Sequence, residues 1–74
     1  MEIFIKLNGK NYLFNINKNN TLNDLIILIN EKFKLEKKFY YLVFNSRILS
    51  NVNKKIADFE ISNYNTIDLI YRAC

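Results

Sequence analysis

An Asn-Gly pair between two alternating runs most constrains what this chain can fold into. Residues 2–7 and 12–16 carry apolar side chains at every second position, and Asn8 and Gly9 stand between the two runs. Asn-Gly is the preferred centre of two-residue turns whose twist matches that of the paired strands. The pattern therefore predicts an antiparallel hairpin. We expect its buried face to carry Ile3, Ile5, Leu7, Tyr12, Phe14 and Ile16, with Leu7 at the point where the strand can leave the core as it enters the turn.

A capped amphipathic helix is predicted next. Thr21 can accept a hydrogen bond from the first turn, and Asp24, three residues later, can reach back to the cap, so the helix should begin at Leu22. Apolar residues then recur at helical spacing at Leu22, Leu25, Ile26, Ile29 and Phe33. Ile27 and Leu28 lie outside this stripe and form a second possible surface, either covered by a neighbouring loop or exposed as part of a contact.

The second half of the chain predicts another hairpin and a closing strand. Residues 40–44 and 47–49 flank a turn at 45–46, and residues 66–71 form a strand with Ile67 and Leu69 inward and Asp68 and Ile70 outward. Ile56, Phe59 and Ile61 suit a short 3₁₀ segment that closes the end of the core. A hairpin, a crossing helix and mixed strands predict an α+β fold of the β-grasp type, with four to five strands and one helix, in a single domain over residues 1–74.

Composition argues against catalysis. The 74 residues include no His, no Trp and one Cys, so the usual metal-ligand clusters and Cys/His or Ser/His pairs are missing. We expect no enzyme activity, no cofactor and no metal site. The single Cys and the start MEIFIKLNGK favour an intracellular protein, and the longest apolar run, residues 25–29, is too short to cross a membrane. The net charge of +4 is scattered along the chain, which favours a soluble monomer.

One set of residues, spread over nearly the whole chain, matches the pattern of a known family. It comprises Met1, Ile3, Phe4, Lys6, Gly9, Lys10, Thr21, Ile29, Lys32, Leu42, Phe44, Leu49, Asp58, Ile61, Thr66, Leu69 and Arg72. With one deletion in the first hairpin and one insertion between Leu49 and Ile56, the chain resembles the ubiquitin family. Most of the matching residues are at core or turn positions. The resemblance therefore implies a ubiquitin-like β-grasp more strongly than it implies the activity of ubiquitin itself.

The resemblance implies a protein-binding patch on the outer sheet face. Its apolar positions would be Leu7, Val43 and Ile70, and its basic rim Lys6, Arg47 and Arg72. Asp68 stands where the family has a histidine, which should weaken binding to ligands tuned for ubiquitin. On the alternative interpretation, Val43 and Ile70 are only strand formers on an idle face. Tyr41 would enlarge the patch or simply favour a strand, and base stacking beside residues 37–38 is not expected.

The conjugation features of the family are missing. The chain ends Tyr71-Arg72-Ala73-Cys74 without Gly-Gly, and Arg47 and Asn63 stand where the family's commonest chain-linking lysines would be. Cys74 has no activating neighbour and is interpreted as a terminal thiol. As written, the chain cannot be attached to lysines as ubiquitin is.

The function expected from the sequence is that of a ubiquitin-like interaction domain. Its partners would be ubiquitin-binding helices or a proteasome receptor in the cytoplasm or nucleus, with the domain as the amino-terminal module of a longer adaptor. One alternative is a divergent modifier that meets the conjugation machinery and whose precursor continues past Cys74 or was trimmed. Another is a structural subunit of a larger complex that uses the apolar surface at Leu28 and Tyr41.

Overall fold

The computed structural model describes residues 1–72 and shows a five-stranded mixed sheet crossed by one helix. The elements are β1 (Glu2–Leu7), β2 (Lys10–Asn15), α1 (Leu22–Phe33), β3 (Tyr40–Phe44), β4 (Arg47–Ile48) and β5 (Thr66–Tyr71), with 3₁₀ turns at Lys37–Phe39 and Ile56–Phe59. The strand order is β2-β1-β5-β3-β4; β1 and β5 are parallel and the other neighbours antiparallel. This β-grasp-like α+β arrangement confirms the predicted fold class. Ala73 and Cys74, and with them the interpretation of the terminal thiol, lie outside the described residues.

Both hairpin turns use backbone conformations that few residues tolerate. Asn8 and Gly9 have φ values of 53° and 79°, and Asn45 and Ser46 have φ values of 54° and 65°. Two consecutive positive φ values define the turn whose twist suits a two-residue hairpin. The first turn pairs Leu7 with Lys10 and so sets the register of the whole hairpin, as the Asn-Gly pair predicts.

The helix begins at Leu22 with the predicted capping box. The Thr21 hydroxyl accepts a hydrogen bond from the Asp24 N–H at 3.3 Å, and the Asp24 carboxylate accepts one from the Thr21 N–H at 2.9 Å. After Phe33 the helix ends at Lys34, which adopts the left-handed conformation with a φ of 56°. A residue in that conformation is a common helix stop.

The core lies between α1 and the inner face of the sheet. The buried residues are Ile3, Ile5, Leu7, Phe14, Ile16, Leu22, Leu25, Ile26, Ile29, Tyr40, Leu42, Leu49, Ile56, Ile61, Ile67 and Leu69. Ile56, in the second 3₁₀ turn, is fully buried and Ile61 nearly so, and the half-buried Phe59 packs against the core, which confirms the predicted closure of the core. No helix among residues 1–72 is long and apolar enough to cross a membrane.

Candidate functional site

One group of apolar side chains on the outer face of the sheet lies on β3 and β5. Tyr41 lies directly opposite Ile70, and Val43 lies two residues further along β3 on the same face. Ile70 is 40% exposed, while Tyr41 and Val43 are half-buried. These placements confirm the predicted faces of β3 and β5. Residues opposite one another on an antiparallel pair have Cβ atoms about 5 Å apart, so these side chains form one continuous surface.

Ile48 joins this surface although the sequence pattern did not single it out. It lies on β4 directly opposite Val43 and is 62% exposed. The Asn45–Ser46 turn carries the signal that could have found it, because a two-residue turn pairs Phe44 with Arg47 and therefore Val43 with Ile48. We call Tyr41, Val43, Ile48 and Ile70 the sheet-face patch.

Leu7 does not belong to the sheet-face patch, and its prediction as a patch residue is wrong. It is 6% exposed and shares the inner face with Ile3 and Ile5. The two-residue turn explains this placement: β1 keeps its alternation up to its pairing with Lys10, so Leu7 does not leave the core.

Two charged residues border the patch on the central strands. Asp68 lies opposite Val43 on one side and beside Lys6 on the other, so the three occupy one row across the sheet. Within residues 1–72 the ion pair closer than 4 Å is that of Lys38 with Glu36, at 3.3 Å, and Asp68 makes none. A carboxylate without a close cation therefore stands beside the apolar surface.

Arg72 is held at the other end of the patch. Its backbone N–H donates to the Phe39 carbonyl at 2.8 Å, and its Nε donates to the Tyr40 carbonyl at 3.2 Å. The guanidinium lies 5.4 Å from the centre of the Tyr41 ring. A stacked guanidinium is attracted to the face of the ring and still offers its remaining N–H groups to a ligand.

Arg47 does not lie on the same face of the sheet as the sheet-face patch. Arg47 lies opposite Phe44 and therefore shares the face of Phe44, not that of Val43. It lines a cleft at the β4 end of the molecule together with Lys54 and Phe59. Of the three predicted rim residues, Lys6 and Arg72 flank the sheet-face patch and Arg47 lies beyond its end.

The second predicted surface lies on the helix, away from the outer face. Ile27 is 47% exposed and Leu28 is 37% exposed, so neither side chain is covered by a loop of the described chain. Leu28 lines a cleft with Leu13 and Phe14 of β2. Because α1 covers the inner face of the sheet, this surface and the sheet-face patch are on different sides of the molecule.

No protein-family model and no curated protein matches this chain. The faces of the candidate residues follow from the register of the sheet. The kind of ligand that can bind them has to be inferred from the surface itself, which is apolar and is bordered by Lys6, Asp68 and Arg72.

Proposed function

We propose that the chain is a ubiquitin-like protein-interaction domain recognised through the sheet-face patch. Its partners are acidic ubiquitin-binding helices or a proteasome receptor, and its setting is the ubiquitin and proteasome pathway of the cytoplasm or nucleus. The observation that carries the proposal is the pairing of Tyr41 with Ile70 and of Val43 with Ile48 on the outer face of the sheet. These two pairs put four apolar side chains on an otherwise polar face of three strands.

The shape of the patch suits a partner helix. Apolar side chains on adjacent strands offer a small dry area, and aromatic residues such as Tyr41 are enriched among residues that dominate binding. Arg72 is already held against Tyr41 before any partner arrives, so little of its side-chain freedom remains to be lost on binding.

The charges support an acidic partner. The chain carries a net charge of +4, which attracts an acidic ligand over a distance of about 10 Å at 0.1 M salt. Asp68 acts in the opposite direction because it stands in the row between Val43 and Lys6. The partner therefore contacts the Arg72 side of the patch with its acidic residues and keeps them away from Asp68.

Titration of the isotope-labelled chain with an acidic ubiquitin-interacting helix tests the proposal. We expect amide shifts centred on Tyr41, Val43, Ile48 and Ile70. Ile70→Ala should weaken binding about tenfold, because truncation of a central apolar contact costs about 1–2 kcal/mol. Ile27→Ala is the matched control: the same side chain is truncated at similar exposure, 47% against 40%, and binding should stay unchanged.

Two further results bear on the same titration. Asp68→Asn should strengthen binding of the acidic helix a few-fold at low salt and less at high salt, because a screened repulsion is removed. No shift at millimolar helix, or shifts confined to residues 27–32, would contradict the sheet-face proposal.

A second candidate function is that of a structural subunit docked through the helix. The observation in its favour is the exposure of Ile27 and Leu28, two adjacent apolar side chains on an exposed face of α1. This function predicts that Leu28→Asp abolishes assembly into the native complex while Val43→Ala has little effect. The sheet-face proposal predicts the reverse order, so co-purification of the two variants with native partners separates the two functions.

A further inference from the structure

The two edges of the sheet differ in how open they are to another strand. The strand order places β4 at one edge and β2 at the other. β4 has only two residues, whereas β2 has six, Lys10–Asn15. Short edge strands are one of the devices that prevent pairing between chains. The β4 edge has this protection and the β2 edge does not.

The outward backbone groups of β2 can be assigned from one hydrogen bond. The Ile16 N–H donates to the Met1 carbonyl at 2.8 Å, in the same register as the β1–β2 pairs. Along an antiparallel strand, residues whose backbone N–H and C=O groups point toward the partner strand alternate with residues whose groups point away from it. The backbone groups of Phe14 and Tyr12 therefore also bond β1. The N–H and C=O groups of Asn11, Leu13 and Asn15 therefore point away from the sheet. In residues 1–72 none of these groups bonds another element.

Nothing in β2 blocks a partner strand. From Asn11 to Asn15 the strand carries no charge and no Pro, and its register with β1 is continuous without a bulge. Charges, Pro and bulges are the other common means of closing an edge. The charged residue of β2, Lys10, stands at the turn end, outside the stretch whose backbone groups point away from β1.

Apolar side chains continue on both sides of this edge. On the outer face Leu13 is 54% exposed and lies opposite Phe4, whose ring centre is 6.5 Å from that of Tyr64. On the helix side the cleft beside β2 is lined by Leu28, which is 37% exposed. A strand added at β2 would therefore bury apolar surface above and below the sheet as well as form backbone hydrogen bonds.

The chemistry of the edge favours an uncharged strand as its occupant. The cleft contains one acidic and one basic side chain, Glu31 and Lys32, so the charges of the cleft balance and add no preference for an acidic or a basic peptide. A neutral strand with alternating apolar side chains fits instead. The residues Asn11 to Asn15 of a second copy have this composition.

Contrary to the monomer expected from the net charge, we propose that β2 pairs antiparallel with β2 of a second copy, about a two-fold axis through Leu13. Directly opposite residues would be Leu13 with Leu13, Asn11 with Asn15, and Tyr12 with Phe14. In this register the three residues whose backbone groups point away from β1 lie opposite the same three residues of the second copy. This arrangement allows about six backbone hydrogen bonds. It also keeps every residue on its own face of the sheet, and no like charges stand opposite one another.

The dimer has a consequence for binding. Its two-fold axis runs perpendicular to the sheet, so the outer faces of both copies point the same way in one continuous sheet. The sheet-face patch lies on β3, β4 and β5, away from the β2 edge, and stays free in both copies. A dimer would present two patches side by side to a partner that carries two binding helices.

Sedimentation of the full chain from about 10 µM to about 2 mM tests the dimer, since a small edge-to-edge contact is expected to be weak. The mass should rise from 8.9 kDa toward twice that value with concentration. Because each copy carries a charge of +4, added salt should strengthen association several-fold by screening the repulsion.

The matched variants are Leu13→Lys and Ile48→Lys. Both replace an exposed apolar residue by Lys, at 54% and 62% exposure, and both raise the net charge equally. Leu13→Lys sets two cations opposite each other on the axis and should keep the chain at 8.9 kDa, whereas Ile48→Lys should still dimerise. In the native chain, concentration-dependent amide shifts should be confined to residues 10–16 and 27–32.

Three results would overturn the dimer. The first is a constant 8.9 kDa at every concentration and salt. The second is equal association of both variants. The third is a chain that stays monomeric and whose β2 amide signals shift only when a synthetic peptide of alternating Val and Ile is added. That result would show that the β2 edge binds a strand of another protein and not a second copy. Each result is separable from the proposed function, because helix binding is read at Val43 and Ile70.

Discussion

At the scale of single residues, Tyr40 is the buried group with the clearest chemical consequence. Its side chain is 2% exposed on the inner face of β3, and its hydroxyl donates to the Asn30 Oδ1 atom at 2.8 Å. Within residues 1–72 no buried side-chain polar atom lacks a partner, so this bond satisfies both groups. Burial raises the pKa of Tyr40 from 10.0 to about 12 because the charged phenolate is poorly solvated there.

Alkaline pH should therefore destabilise the fold through Tyr40. Between pH 10 and about 12 the unfolded chain loses the phenolic proton while the folded chain keeps it. The stabilisation is complete below pH 10 and declines as pH rises, by about 2–3 kcal/mol in total. Urea unfolding across this range measures the decline.

Tyr40→Phe is the variant that isolates this effect. It should lower stability by about 1–2 kcal/mol at neutral pH, because Asn30 loses its partner, and it should remove the decline assigned to Tyr40 above pH 10. Tyr71→Phe, at an exposed tyrosine of β5, should retain that decline. Equal alkaline profiles for the two variants would contradict the assignment.

At the scale of elements, the start of α1 shows how a local signal and a distant loop combine. The Leu22 N–H donates to the Lys54 carbonyl at 2.9 Å, and the Asn23 N–H donates to the Val52 carbonyl at 3.0 Å. The Asp24 N–H donates to the Thr21 hydroxyl. The first three N–H groups of a helix have no partner within the helix, and here all three find one outside it. The loop after β4 is thereby fastened to the helix.

Thr21→Ala should remove the side-chain half of this cap. We expect a loss of about 1 kcal/mol in the free energy of unfolding, because the Asp24 N–H loses its acceptor while the two backbone carbonyls remain. Asn23→Ala, in the first turn of the helix, is the control. The Asn23 side chain makes no hydrogen bond within residues 1–72, so this variant should change stability by less than about 0.5 kcal/mol. Chemical denaturation of both variants measures the difference. Equal losses would show that the hydroxyl is not the cap.

At the scale of the whole molecule, Ile56 connects the parts of the core that are far apart in sequence. It is fully buried, and its N–H donates to the Asn20 carbonyl at 2.8 Å, just before the helix. A stability of about 0.05–0.15 kcal/mol per residue gives a chain of 74 residues about 4–11 kcal/mol in all. A single residue that closes the core can therefore supply a large share of the total.

Ile56→Ala should cost about 2–5 kcal/mol, through lost burial and the cavity left behind. The denaturant midpoint should fall while the slope of the transition stays the same, because the surface exposed on unfolding hardly changes. Ile48→Ala, the same truncation at 62% exposure, should shift stability by less than about 0.5 kcal/mol. A small effect of Ile56→Ala would mean that the end of the core is closed by its neighbours alone.

The sequence predicted those parts of the fold whose causes lie within a few residues. The Asn8-Gly9 turn, the capping box of Thr21 and Asp24, and the faces of β3 and β5 all depend on neighbouring residues, and all are confirmed. The role of the outer face in binding stays a prediction, since a face can be derived from alternation and a partner cannot.

Only the tertiary structure decided what depends on contacts between distant residues. Helix capping by the carbonyls of Val52 and Lys54 and the open edge at β2 follow from pairings that no local pattern contains. Leu7 is a different case: its alternation with Ile3 and Ile5 predicted the core, the resemblance assigned it to the patch, and the structure agrees with the alternation. The physical reason is that turns and caps are satisfied by short-range hydrogen bonds and dihedral preferences, whereas burial and edges exist only after the sheet has assembled.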